Sequence, residues 1–277
     1  MPKEVPEVDV VQIIRDELER SSASKEWRIT EKFLMAALGS IPWVGGFIAA
    51  AASIPSIEST AHGNALRTKW LEEHHRKLED LNSTLGDISQ RFEKLGPSIQ
   101  ERIQSPEYLN LVRQAFRNWD RADTEQKREY IANVLSNSAG TRLCSDDVIR
   151  LFISWIDLYH EAHFSVIAQV FKNPGITRYE IGLDLYGQIP RDDSPEADLF
   201  KLLIRDLSTG GVIRQARDTN EAGQFVRKRP VRRRGFAPTT MESAFEDTKQ
   251  YVLTELGRQF VHYTMNEVVP RIGSESN

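Results

Sequence analysis

Residues 33–57, FLMAALGSIPWVGGFIAAAASIPSI, run for 25 positions without a charge, and how they are read decides the architecture of the chain. A bilayer crossing takes roughly 20 helical residues, so the length would suffice. The composition argues against one span. Nine of the 25 are Leu, Ile, Val or Phe, six are Ala, three Gly, three Ser and two Pro. Pro42 follows Gly39-Ser40 and breaks a helix there, because its ring removes a backbone donor and crowds the preceding turn. The pattern predicts a hairpin, with one arm over residues 29–38, a turn at 39–42 and a second arm over 43–53. Small residues four apart (Ala36 and Ser40, Gly45 and Ala49, Gly46 and Ala50) let the two arms approach closely. Two environments suit it: a lipid bilayer, or the centre of a helical bundle.

This Gly- and Ala-rich hairpin resembles the apolar hairpins of helical pore-forming toxins and fusion peptides. The resemblance implies a membrane-inserting face made by Phe33, Leu34, Leu38, Ile41, Trp43, Val44, Phe47, Ile48 and Ile54. No secretory signal precedes it, since residues 1–32 carry six bases and eight acids. Within them, residues 10–20 read as a short amphipathic helix with Val10, Ile13, Ile14 and Leu18 on one face.

Beyond the run, residues 65–95 read as one long charged helix. Leu71, His74, Leu78, Leu81, Leu85, Ile88, Phe92 and Leu95 alternate steps of three and four, which is a heptad seam. Such a seam buries against another helix, either of this chain or of a second copy. In the second case Leu71, Leu78, Leu81, Leu85, Ile88 and Phe92 form an oligomerisation surface. Gly96-Pro97 ends the helix. Three more helices follow over 106–119, 124–138 and 145–159, each with an apolar stripe. Together these segments give a mainly α chain in three parts: amphipathic helix and apolar hairpin (1–58), helical bundle (59–143), and a helical linker with a C-terminal α+β domain (144–277).

In that last part a helix over 164–172 stops at Asn173-Pro174-Gly175. Thr177-x-x-Glu180 is a capping box that starts a second helix. Ser194-Pro195 caps a third, which closes at Gly210-Gly211. A strand at 212–215, a hairpin partner at 224–226, a further strand at 251–253 and a final helix over 255–265 complete the set. The phrases IAQVFKNPGITRYEIG (167–182), IRDLSTGGVIR (204–214) and YVLTELGRQFV (251–261) resemble the winged helix-turn-helix domains of MarR- and PadR-type regulators. The resemblance implies a winged-helix fold and leaves function open. The helix at the recognition position, 195–209, is net −1, with Glu196, Asp198 and Asp206 against Lys201 and Arg205. Helices that read base edges usually offer Arg, Lys, Asn or Gln. The wing is the opposite, with eight bases and two acids over 214–234 in a chain of net charge −4. Arg227, Lys228, Arg229, Arg232, Arg233 and Arg234, with Lys201 and Arg205, are the candidate nucleic-acid or anion contacts. An acidic protein, an anionic lipid surface, or a solvated loop are the other readings of the wing. Residues 236–249 read as a loop.

Enzymatic signatures are not found. There is no Gly-rich phosphate loop, no GxSxG elbow and no HExxH pair; His160 and His163 share a helix face without a third ligand. Arg67 and His74 stand seven apart, a spacing that also occurs in HEPN ribonucleases and that arises often by chance. The lone Cys144 points to a reducing compartment. The sequence thus predicts a non-enzymatic protein without cofactor or metal, cytoplasmic, and at the inner membrane on activation. It predicts a membrane-associated, pore-forming-type effector that forms homo-oligomers and carries a winged helix for sensing or partner binding. Its layout is similar in logic to bacterial self-targeting proteins of abortive phage defence. The alternative is a DNA-binding transcriptional regulator with a helical dimerisation domain.

Overall fold

A computed structural model describes residues 30–44, 61–217, 222, 224 and 243–265. The described part is mainly helical with one small antiparallel sheet of three strands. It divides into two compact units, residues 1–158 with 263–277, and residues 159–262. The expected helix over 10–20 and the wing residues 225–242 lie outside the described residues, as does 45–60, most of the second arm.

The first unit is a helical bundle. Helix α1, Glu31–Leu38, starts where the Thr30 hydroxyl accepts from the Phe33 amide at 3.3 Å, the N-cap bond that satisfies an orphan helix donor. It ends at Gly39, and the 40–44 segment turns away in a bend and a single helical turn. Helix α2, Ala61–Leu95, runs 35 residues, about 50 Å at 1.5 Å per residue. It stops at Gly96, whose φ of +73° is a left-handed conformation natural to glycine. A 3-10 turn (Pro97–Ile99) and the short α3 (Gln100–Gln104) lead into α4 (Pro106–Arg121), capped by Ser105 with proline at its first position. Helices α5 (Glu125–Gly140) and α6 (Asp146–Leu158) close the bundle.

Packing follows from the apolar stripes. Leu78, Leu81, Leu85, Ile88 and Phe92 are buried within one chain, where α2 packs along α5. Of the two readings of the heptad seam, the intramolecular one accounts for the burial of these five side chains. Leu71 lies where α2 is described by its backbone alone. Helix α1 packs on α4, where the Phe33 ring meets Phe116 edge-on at 6.2 Å, and the same ring meets Phe92 of α2 edge-on at 5.6 Å. Aromatic pairs in such geometry add about 0.5–1.5 kcal/mol beyond the area they bury.

Helix α5 also carries a buried polar face, Asn133, Ser136, Asn137 and Ser138, that periodicity did not flag. The Asn133 and Asn137 side-chain amides donate to the Thr264 and Tyr263 carbonyls at 2.6 and 3.0 Å. Those carbonyls belong to the last turn of a helix, where no intrahelical donor remains for them. Two amides four apart on one helix face are spaced to serve both.

The second unit runs α7 (Glu161–Lys172), β1 (Ile176–Thr177), α8 (Arg178–Tyr186), α9 (Pro195–Thr209), β2 (Ile213–Gln215), β3 (Gln250–Leu253) and α10 (Glu255–Thr264), whose last two residues count with the first unit. Strand β3 lies between β1 and β2, antiparallel to both, with Ile176 opposite Tyr251 and Ile213 opposite Leu253. The expected hairpin partner of 212–215, residues 224–226, lies mostly outside the described residues. The described partner of β2 is β3, Gln224 belongs to no strand, and Phe225 and Val226 lie outside the described residues. The Thr177–Glu180 capping box forms as the sequence predicts, the Glu180 carboxylate accepting from the Thr177 amide at 2.8 Å. That bond, with a second from the Thr177 hydroxyl at 2.9 Å, holds the Glu180 carboxyl below its usual range. The core of the unit gathers Phe164, Ile181, Phe200, Leu207 and Phe260. Phe245, from the segment read as a loop, stacks on Phe200 at 4.8 Å. Gly182 passes so close to it that a Cβ there would lie 2.5 Å from the ring.

Candidate functional site

The chain offers two candidate sites, one in each unit. The first is the apolar arm. Phe33, Leu38, Ile41 and Val44 are completely buried and Leu34 nearly so, so five of the nine residues of the expected membrane-inserting face lie in the core of the bundle. Trp43 is half-buried, and Phe47, Ile48 and Ile54 lie outside the described residues. Among the described residues no helix is long and apolar enough to cross a membrane. Trp43 is the polar anchor of the arm. Its indole Nε1 donates to Asp120 Oδ1 on α4 at 2.6 Å. Its ring stacks on the His74 imidazole of α2, 5.0 Å between centroids and 20° apart. The Lys77 ammonium stands 5.6 Å above the same ring and 3.8 Å from Asp120. In the sequence Trp43 belongs only to the apolar face. Its partners lie 31, 34 and 77 residues away, and no local signal links them.

In the second unit, a groove of about 470 Å3 runs between α9 and β2, with the first turn of α8 and Tyr251 of β3 at its end. It is lined by Arg178, Lys201, Arg205, Arg214 and Arg217, with Ser208, Thr209 and Gln215 as neutral donors. Among the described residues that line it there is no carboxylate. The Arg178 guanidinium lies over the Tyr251 ring at 5.3 Å, and the Gln215 amide donates to the Tyr251 hydroxyl at 3.4 Å. On the rim, Lys201 pairs with Asp198 and Arg205 with Asp206, each at 3.4 Å; both pairs are exposed, where such contacts contribute little. Lys201 and Arg205 are therefore brought together with three bases that the sequence had scattered over a helix start, a strand and the wing. Arg227, Lys228, Arg229, Arg232, Arg233 and Arg234 lie outside the described residues.

The outer surface of α9 before the groove is different. Leu199 and Leu202 are exposed there, near Glu196 and Asp198. That surface offers neither base-reading donors nor positive charge.

His163 is buried beneath Tyr159, the two rings stacked 5.0 Å apart. Its Nδ1 accepts from the His160 amide at 3.2 Å, and its Nε2 stands 3.9 Å from Asp206 Oδ2. Burial holds the imidazole below its ordinary pKa, against the pull of Asp206. Burial, with Asp206 nearby, also pushes the Tyr159 hydroxyl up to about 12. Among the described residues no group of three His, Cys, Asp or Glu is placed to hold a metal ion. His160 and His163 serve the start of α7 instead.

No protein-family model matches the chain, and comparison with curated proteins and with solved structures gives no match.

Proposed function

We propose that the chain is a non-enzymatic, membrane-associated effector of pore-forming type. Its apolar hairpin is stored in the helical bundle until a trigger releases it, and residues 159–262 act as a winged-helix unit that meets the trigger or a partner. The observation that carries this reading is the placement of the uncharged run. Phe33, Leu38, Ile41 and Val44 are withdrawn from water in the bundle, yet the run continues without a charge for 13 residues past Val44, to Ile57. A bundle core and a bilayer interior are alternative apolar environments for the same side chains, and a hairpin of Gly, Ala and large aliphatics is at home in both. With Leu78 to Phe92 spent inside the chain, assembly into homo-oligomers uses surfaces other than that seam. In the cell this is a cytoplasmic protein that moves to the inner membrane on activation, as abortive defence against phage requires.

The test is dye release from vesicles of phosphatidylethanolamine and phosphatidylglycerol. Asp120→Ala, which removes the acceptor of Trp43, should release dye where the wild type does not. Val44→Asp in the same background should abolish release, since a carboxylate at a bilayer centre costs roughly 2.5–3.5 kcal/mol. An Asp120→Ala protein that is folded by circular dichroism and releases nothing contradicts the reading.

A second reading, a DNA-binding regulator, is favoured by the second unit. Its order of helix, strand, two helices, two strands and helix, with β3 in the middle of the sheet, supports a winged helix, and the basic groove lies between its third helix and its wing strand.

A further inference from the structure

We infer that the groove between α9 and β2 is a binding site for a small, multiply charged phosphate ester. The argument starts from charge. Arg178, Lys201, Arg205, Arg214 and Arg217 come from four separate places in the chain and converge on one concave surface of about 470 Å3. Like charges gathered in a concavity repel one another and raise the local potential, which concentrates anions there. Guanidinium groups meet phosphate oxygens with paired, charge-assisted hydrogen bonds, and four of the five cations are arginine. Ser208, Thr209 and Gln215 add neutral donors of the kind that fix a phosphate's orientation. The volume falls in the range of small-ligand pockets, roughly 300–1,000 Å3, and accommodates a nucleotide-sized anion.

The surroundings argue for a small ligand over a nucleic-acid duplex. A duplex lying across α9 would meet Glu196 and Asp198 and the exposed Leu199 and Leu202 before it met the groove. Those residues repel a phosphate backbone or leave it unsolvated. A compact oligophosphate reaches the groove without crossing Glu196, Leu199 or Leu202, with Asp198 the one carboxylate of that group beside a groove cation, Lys201. The inference is independent of the membrane reading, because binding is measured without lipid.

The experiment is isothermal titration of the full chain, at about 50 mM salt and without divalent cations, with three probes: tripolyphosphate, ATP, and DNA oligonucleotides both single-stranded and duplex. ATP and tripolyphosphate should bind with one site per chain. Lys201→Gln with Arg205→Gln, two exposed side chains whose loss leaves the core intact, should weaken both small probes about tenfold or more. Retained binding of ATP with loss of tripolyphosphate binding would still place a phosphate ester in the groove and would add a requirement for the nucleoside. Absence of binding by both small probes overturns the inference, as does small-probe affinity that Lys201→Gln with Arg205→Gln does not change. Duplex affinity that falls in the Lys201/Arg205 variant while neither small probe binds also overturns it, and assigns the groove to a nucleic-acid face. Circular dichroism of each variant confirms that the fold is retained.

Discussion

Breaking the Trp43 anchor should open the apolar arm without unfolding the bundle. Trp43→Phe keeps an aromatic ring against His74 and removes only the indole donor, whose bond to Asp120 is 2.6 Å long. A hydrogen bond to a charged acceptor contributes about 1.5–3 kcal/mol. Asp120 is nearly buried, its side chain 14% exposed, but Trp43 is half-buried and Lys77 is 53% exposed, so the lower end applies and Lys77 adds little. A loss of about 1.5 kcal/mol raises the open population of the arm about tenfold. Hydrogen exchange followed by mass spectrometry reads this directly, because local opening exposes amides segment by segment. Peptides covering residues 30–44 should exchange about tenfold faster in Trp43→Phe, while those from α5 and from α9 stay as protected as in the wild type. Unchanged protection at 30–44 would show that the anchor holds nothing. Equal loss across the whole bundle would show that the arm is an inseparable part of the core, and would refute storage and release.

Three further expectations follow from the packing and the titrating groups. Leu81→Ala should lower the urea midpoint by the equivalent of about 2–5 kcal/mol and leave the mass by light scattering unchanged. A change of mass without loss of stability would mean that the seam serves a second copy. His163 is neutral and buried, with its native pKa lowered by desolvation, so the unfolded chain, titrating near 6.5, binds more protons than the native one. Its contribution is complete above about pH 6.5 and is lost as the pH falls below that value toward the lowered native one. The wild type should therefore lose stability between pH 7.5 and 5 more steeply than His163→Gln, and equal slopes would contradict the burial argument. Thr177→Ala removes the hydroxyl that caps α8 and should destabilise the second unit by about 0.5–2 kcal/mol, read as faster exchange in residues 178–186 with α4 unchanged.

Local chemistry was the legible part of this fold. Ser194-Pro195 and the Thr177–Glu180 box each mark a helix start that the structure has, because a cap is decided within three or four residues. The 3.5-residue seam of α2 was equally plain, while its partner was open: a stripe says that a face is buried and is silent on what buries it. Strand pairing was open for the same reason: the strand expected at 251–253 forms and pairs with 213–215, a partnership that no local pattern in either segment specifies. The sites were least legible. The Trp43 anchor joins residues 77 apart. The basic groove draws Arg178 from a helix start that reads as ordinary capping sequence. The Asn133 and Asn137 amides serve carbonyls more than 120 residues away.

The central claim, that the arm leaves the bundle for lipid, is tested most directly by a probe on Met35, which is 48% exposed on α1. The chain has one cysteine, Cys144, so Cys144→Ser with Met35→Cys gives a single thiol for an environment-sensitive fluorophore. In the Asp120→Ala background, mixed with phosphatidylglycerol vesicles that carry a nitroxide in their acyl chains, the fluorophore should report an apolar setting and be quenched. Water-like emission without quenching, in a folded protein whose residues 30–44 exchange as an open segment, would contradict the account.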